Sequence, residues 1–266
     1  MKSGNWFDPR TGAALHHHDV IAQAAQAQAV LLGEQHDKAE NHRWQMHVAA
    51  GLLALRSDLV MGFEMFPKRL NPVLQDWVDG KIAEPEFAER VEWGTVWGFD
   101  ISLYMPLFHF CRDFGIPMLG LNCRRGLVTE VGKEGWDAIP EPDREGLTQA
   151  APASAAYRKY LFDITGGAFP NRKATSPEDP QFDRFVRAQQ TWDRAFACRI
   201  AEIALSSSAP LVIGIIGRGH LEHRYGTPSQ LVDQGVNNCR VLLPHAEGAE
   251  PMGDIADALC QMPAAS

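Results

Sequence analysis

The chain has 266 residues, 45% apolar and 22% charged, a balance that excludes a disordered, collagenous or disulfide-stapled protein. With 25 Lys and Arg against 33 Asp and Glu, the net charge of −8 argues against nucleic acid or an anionic membrane surface as partner. The Cys residues at 111, 123, 198, 239 and 260 form no CxxC pair, so reduced structural thiols are expected rather than a zinc or disulfide framework.

The opening residues MKSGNWFDPRTG lack the apolar stretch of a signal peptide, and no apolar run is long enough to span a membrane. The expected location is cytoplasmic, or periplasmic or membrane-anchored if the start of the chain is trimmed. His16, His17 and His18 are expected in a solvated turn ahead of a helix over 22–29. An apolar run at 29–32 predicts a strand, and Trp44, Val48, Leu52 and Leu55 predict a helix over 41–55. A second strand is expected at 59–63. The interval 71–111, with Trp77, Phe87, Trp93, Trp97 and Phe99, shows helix-like segments and no strand pattern. A third strand falls at 117–121. Residues 126–180 mix Ala, Gly, charge and Pro140, Pro142, Pro152, Pro177 and Pro180, a composition for loops and short helices. Phe185, Trp192, Phe196, Ile200 and Ile203 then predict a helix over 183–205, before strands at 211–216 and 240–243.

Continuous apolar runs, rather than alternating ones, mark strands buried on both faces. The expected fold is α/β: a mainly parallel sheet of about five strands flanked by helices. Residues 1–266 are read as a single domain, with helical insertions at about 71–111 and 126–180 forming a lid.

Ligands of open parallel sheets bind at the carboxyl ends of the strands, which makes the residues just past each apolar run the first candidates. Those residues are unusually polar. Glu34 and His36 follow the first run, Glu64 closes the second, Asn122 follows the third, and Arg218 and His220 follow the fourth. Two imidazoles and two carboxylates on one rim are the mixed ligand set of Zn, Fe or Mn, and equally a general acid–base set. Taken singly, each has a bland alternative, such as Glu34 capping the next helix or His220 filling a turn. His42 and Arg43 are placed to face the rim, whereas His47 suits a helix surface. Gln189 and Asp193, four apart, share one helix face, either toward the site or toward solvent. The GRGH segment lacks the full dinucleotide-binding pattern, and Walker, GxSxG and HExxH motifs are absent.

Six segments in order, AVLLGEQHD, LVMGFEMFP, VEWGTVWGFDISLYMPLF, PMLGLN, FVRAQQTWDRAFA and IIGRGHLEHRYGTP, resemble the ChaN family of haem-binding proteins over roughly 5–243. The wider superfamily is similar to Tiki/TraB metalloproteases and erythromycin esterases, whose active centre carried onto this chain is Glu34, His36, Glu64 and His220. The resemblance implies an α/β fold with a helical lid and a link to haem uptake. It also implies a tyrosine ligand to haem iron at a homodimer interface, for which Tyr225 and Tyr104 are the candidates. Many family members are lipoproteins, and the opening residues here carry no such signal.

Two functions follow. The first is haem or iron binding in haem uptake or trafficking. The alternative is a metal-dependent, hydrolase-like enzyme acting on a small molecule or peptide, with His36, Glu64 and His220 holding Fe, Zn or Mn.

Overall fold

Alternate residues of the central strand point to opposite cores, and that parity fixes the architecture. Val30 and Leu32 pack on one side of the sheet with Phe63 and Ile213, while Leu31 packs on the other with Leu121 and Val212. A computed structural model describes residues 5–169, 172–245 and 252–262.

In chain order the elements are β1 (Trp6–Phe7), β2 (Ala14–Leu15), α1 (His17–Ala24), β3 (Ala29–Glu34), α2 (Ala39–Leu55) and β4 (Leu59–Pro67). Then come α3 (Asn71–Val78), α4 (Glu84–Arg90), α5 (Trp93–Val96), α6 (Met105–Asp113), β5 (Met118–Asn122), α7 (Arg125–Glu134) and α8 (Ala155–Thr165). A small hairpin, β6 (Ala168–Phe169) and β7 (Arg172–Lys173), precedes α9 (Asp183–Ala204), β8 (Leu211–Gly217), α10 (Thr227–Asp233), β9 (Cys239–His245) and β10 (Ala258–Gln261).

The main sheet has eight strands in the order β2-β1-β10-β9-β3-β8-β4-β5, rather than the five expected. The five apolar runs are β3, β4, β5, β8 and β9, all parallel. The sequence pattern missed β10, parallel to β9, and the antiparallel pair β1 and β2. Strands of two residues are too short to show a period, and β10 has only three consecutive buried apolar residues, Ala258, Leu259 and Cys260. The helix expected over 22–29 lies at His17–Ala24, so His17 and His18 sit in its first turn. His17 Nδ1 accepts the indole N–H of Trp6 at 2.9 Å, and its ring lies 5.0 Å from His47.

The interval between β4 and β5 is helical, and the aromatic side chains of α3–α6 fill the first core. The interval after β5 holds α7, α8 and the small hairpin, with residues 170 and 171 outside the described set. Among the described residues, no helix is long and apolar enough to cross a membrane.

Strand β8 lies between β3 and β4, and the chain then crosses β3 to reach β9. Connections thus leave β8 and β3 in opposite directions, which opens a crevice beyond their carboxyl ends. Glu34 ends β3, and Gly217 ends β8 opposite it in the ladder.

Candidate functional site

Glu34 is 2% exposed and uses both carboxylate oxygens. Oε1 lies 2.8 Å from His36 Nδ1 and accepts the Tyr104 hydroxyl at 2.9 Å. Oε2 accepts the Gln45 amide at 3.0 Å and lies 3.1 Å from His42 Nδ1. Burial alone would raise this carboxyl, but the hydrogen bonds from His36 and His42 outweigh it and hold it at about 2.

His42 is buried on α2, with an acceptor at each ring nitrogen. Nε2 faces the His36 carbonyl oxygen at 3.1 Å, while Nδ1 faces Glu34 and the Gln45 amide oxygen. A carbonyl can only accept, so both nitrogens donate and the ring is an imidazolium. Burial opposes that charge, yet the Glu34 carboxylate raises the ring above its ordinary value.

His36 is anchored at Nδ1 by Glu34, and its side chain keeps 28% exposure between the edges of Trp97 and Phe99. Burial lowers its proton affinity, but Glu34 and Glu64 raise it further, with a net upward shift. Its Nε2 turns toward Gly217, where an added Cβ would stand 2.8 Å from His36 Cε1 and 3.0 Å from Nε2. Glycine at 217 therefore gives the imidazole its room.

Glu64 lies where β4 leaves the β8 ladder. Pairing of the two strands ends at Phe63 with Ile215, and Glu64 Oε2 then accepts the Gly217 amide at 2.5 Å. The Asn122 amide holds the Glu64 carbonyl at 2.9 Å. Oε1 faces His220 Nε2 at 3.7 Å.

The other nitrogen of His220 lies 2.8 Å from Asp193 Oδ1. Asp193 has no exposed surface and also accepts from the Thr227 hydroxyl at 3.1 Å and the Tyr157 hydroxyl at 2.6 Å. Burial opposes protonation of His220, but Asp193 first and Glu64 second raise it above its ordinary value. The Gln189 amide nitrogen lies 3.0 Å from Nδ1 and 3.3 Å from Nε2 of the same ring. Gly226 admits the group, since an added Cβ would stand 2.5 Å from the His220 carbonyl oxygen and 2.7 Å from Asp193 Oδ1.

Glu34, His36, Glu64 and His220 thus share one rim, joined by His42, Gln189, Asp193 and Asn122. Arg43 is exposed on α2, and Arg218 pairs with Glu222. Gln45, Tyr157, Thr227 and Gly226 were not singled out in the sequence. Gln45 alone carried a signal, being three residues from His42 on the same helix face.

His36, Glu64 and His220 are the expected metal ligands. Among the described residues, no group of three or more His, Cys, Asp or Glu is placed to hold a metal ion. Nδ1 of His36 is turned to Glu34, Nδ1 of His220 to Asp193, and one Glu64 oxygen to the Gly217 amide, which leaves Nε2 of each ring and the second Glu64 oxygen outside these bonds.

Tyr104, one of the two expected haem ligands, has its hydroxyl engaged. It is fully buried, its hydroxyl donates to Glu34 and accepts from Trp97, and burial followed by the Glu34 charge raises the phenol well above its ordinary value. Tyr157 and Tyr160 are likewise committed, donating to Asp193 at 2.6 Å and Glu222 at 2.7 Å. Tyr225 differs. Its ring is half-buried and its hydroxyl has no hydrogen-bond partner among the described residues. The ring stacks on His223 at 5.2 Å and 27°, with Tyr157 and Tyr160 each 6.1 Å away. His223 and Arg224 both have left-handed backbones, at φ 56° and 61°. Each such residue costs about 1–3 kcal/mol, so surrounding contacts must hold the turn.

The fold and rim together define an open-sheet α/β protein with a histidine–carboxylate centre at the carboxyl ends of its strands. The chain belongs to the family described as haem-binding uptake, Tiki superfamily, ChaN, whose model matches residues 20–231. No curated protein matches it in sequence. Among solved structures it is similar to ChaN of Campylobacter jejuni, described with cofacial haem binding, at TM-score 0.72 and 21% identity over 97% of this chain and 96% of that one. It also resembles the type III effector HopBA1, at TM-score 0.54 and 13% identity over 91% and 90%. The erythromycin esterase mutant EreC H289N in its open conformation follows, at TM-score 0.52 and 11% identity over 93% and 81%. At these identities the likeness is one of fold.

The residues around Tyr225 fit a haem. Ferric iron takes a phenolate oxygen that is not already hydrogen-bonded, and a porphyrin needs flat apolar surface. Tyr225 offers the oxygen, and Ile164, 54% exposed and close to Gly219, offers apolar surface beside the loop that carries it.

Proposed function

We propose that this protein binds haem at the rim, with the Tyr225 phenolate as iron ligand, and serves haem uptake or trafficking. One observation carries the reading: of the four tyrosines, three donate their hydroxyls to carboxylates, and Tyr225 alone has its oxygen unspent among the described residues. Family membership supports the choice of ligand, and cofacial haem in the Campylobacter jejuni relative supports a homodimer that buries the porphyrin face. Bound iron would supply Lewis acidity toward the phenolate, while the chain orients Tyr225 and shields the porphyrin.

Titration of the purified protein with hemin tests this. A Soret shift that saturates in wild type, survives in Y104F and is lost in Y225F is the expected pattern. Equal binding by Y225F and wild type would remove the ligand assignment.

A second reading is favoured by the line Asp193–His220–Glu64. An imidazole held between two carboxylates can, when protonated, donate a proton to a substrate carbonyl or leaving group, a step worth roughly 10² to 10⁴ in rate. Hydrolysis of aryl esters that vanishes in H220Q but persists in Y225F would place enzymatic chemistry at this centre. No ester turnover above buffer would remove it.

A further inference from the structure

We infer that His223 is a positioning residue for Tyr225: a strained turn lays its imidazole along the phenol and keeps the hydroxyl oxygen available. The inference rests on the haem reading, because it concerns how that oxygen is presented to iron.

The turn is unusual in its residues. His223 and Arg224 are consecutive left-handed positions, and neither is glycine. Such a pair persists only where the surroundings over-determine it. Here the His223 amide donates to the Ile255 carbonyl at 2.9 Å, and the Arg224 guanidinium donates to Asp257 Oδ2 at 2.7 Å and to the Cys239 carbonyl at 3.0 Å. These contacts engage the backbone of 223 and the side chain of 224, and none of them uses the imidazole. Glycine at 223 would suit the backbone better.

What the strain does achieve is ring placement. His223 stacks on Tyr225 and meets Tyr160 edge-on at 5.6 Å. Tyr157 and Tyr160 brace the phenol from its other sides, each tethered through its own hydroxyl to a carboxylate. The Tyr225 ring is therefore wedged among three rings, and the brace supplied by His223 comes from the turn.

Structural and positioning roles predict opposite outcomes for H223G. If the imidazole positions Tyr225, glycine raises the melting temperature of the haem-free chain by relaxing the turn, yet weakens hemin binding about tenfold. H223F, which keeps a flat ring, returns the affinity to within about threefold of wild type. The visible charge-transfer band of the ferric phenolate shifts in H223G and returns in H223F.

Wild-type hemin affinity and an unmoved band in H223G would overturn the inference with the haem reading intact, as would weakened binding by H223F at unchanged melting temperature. Failure of the haem reading shows in separate arms, as no Soret change in wild type or undiminished binding by Y225F, and either overturns this inference as well.

Discussion

The Glu34 carboxylate and the His42 ring, 3.1 Å apart and both buried, form an ion pair beneath the rim, with His42 protonated on both nitrogens. The pair sets a pH signature. Glu34 is held at about 2 against an ordinary 4.5, so its contribution to stability is complete above about 4.5 and lost as pH falls toward 2. His42 is raised above 6.5, so its contribution is complete below 6.5 and lost as pH climbs through the folded value. Stability from the pair should be greatest between roughly pH 4.5 and 6.5. His36 and His220 are also raised and add to the alkaline decline. Urea melts across pH should show that decline reduced, and not abolished, in H42Q. An identical slope above pH 6.5 would count against the ion pair.

Replacing Tyr104 by Phe removes one donor from a buried carboxylate. The expected loss is about 1–3 kcal/mol of folding stability, because the charge stays buried with one partner fewer. A melting temperature equal to wild type would show that water or another donor replaces the hydroxyl.

Asp193 accepts from His220, Thr227 and Tyr157, so D193N breaks a buried charge pair and disturbs three side chains at once. The expected cost is about 3–5 kcal/mol. His220 should also titrate at lower pH in the variant, since its principal raising influence is gone. NMR of the imidazole carbons reads the second effect independently of the first.

Gly226 and Gly217 should respond differently to alanine. At Gly226 the new Cβ meets the backbone oxygen of His220, which cannot move alone, and a loss above about 2 kcal/mol is expected. At Gly217 it meets the His36 side chain, which can turn aside, so stability should fall less while the His36 ring resonances shift. Chemical denaturation and histidine NMR of the two variants separate these outcomes.

The haem reading needs no cation at the rim, so prolonged dialysis against a chelator should leave the melting temperature unchanged. A drop of several degrees, reversed by Zn or Mn, would show that a cation occupies the rim after all.

The five apolar runs made the central sheet legible, since a strand buried on both faces carries its own signature in Val, Ile and Leu. Strands β1 and β2 carry none, because pairing rather than composition defines them. At the site, Glu34, His36, Glu64 and His220 could be read as polar residues at the ends of apolar runs or just past them. The partners that give them their chemistry could not. Tyr104 is 70 positions from Glu34, and Tyr157 is 36 from Asp193, separations at which no local spacing rule operates. Tyr225 stood among four tyrosines until the hydrogen bonds of the other three were known.

Strand β10 sits between β9 and β1, so the segment that carries Trp6 joins the parallel strands only through a strand distant from it in sequence. Without β10, β9 would present an open edge and Trp6 would lose its partner Cys260. Cutting the chain before residue 258 should therefore leave an adhesive, half-finished sheet.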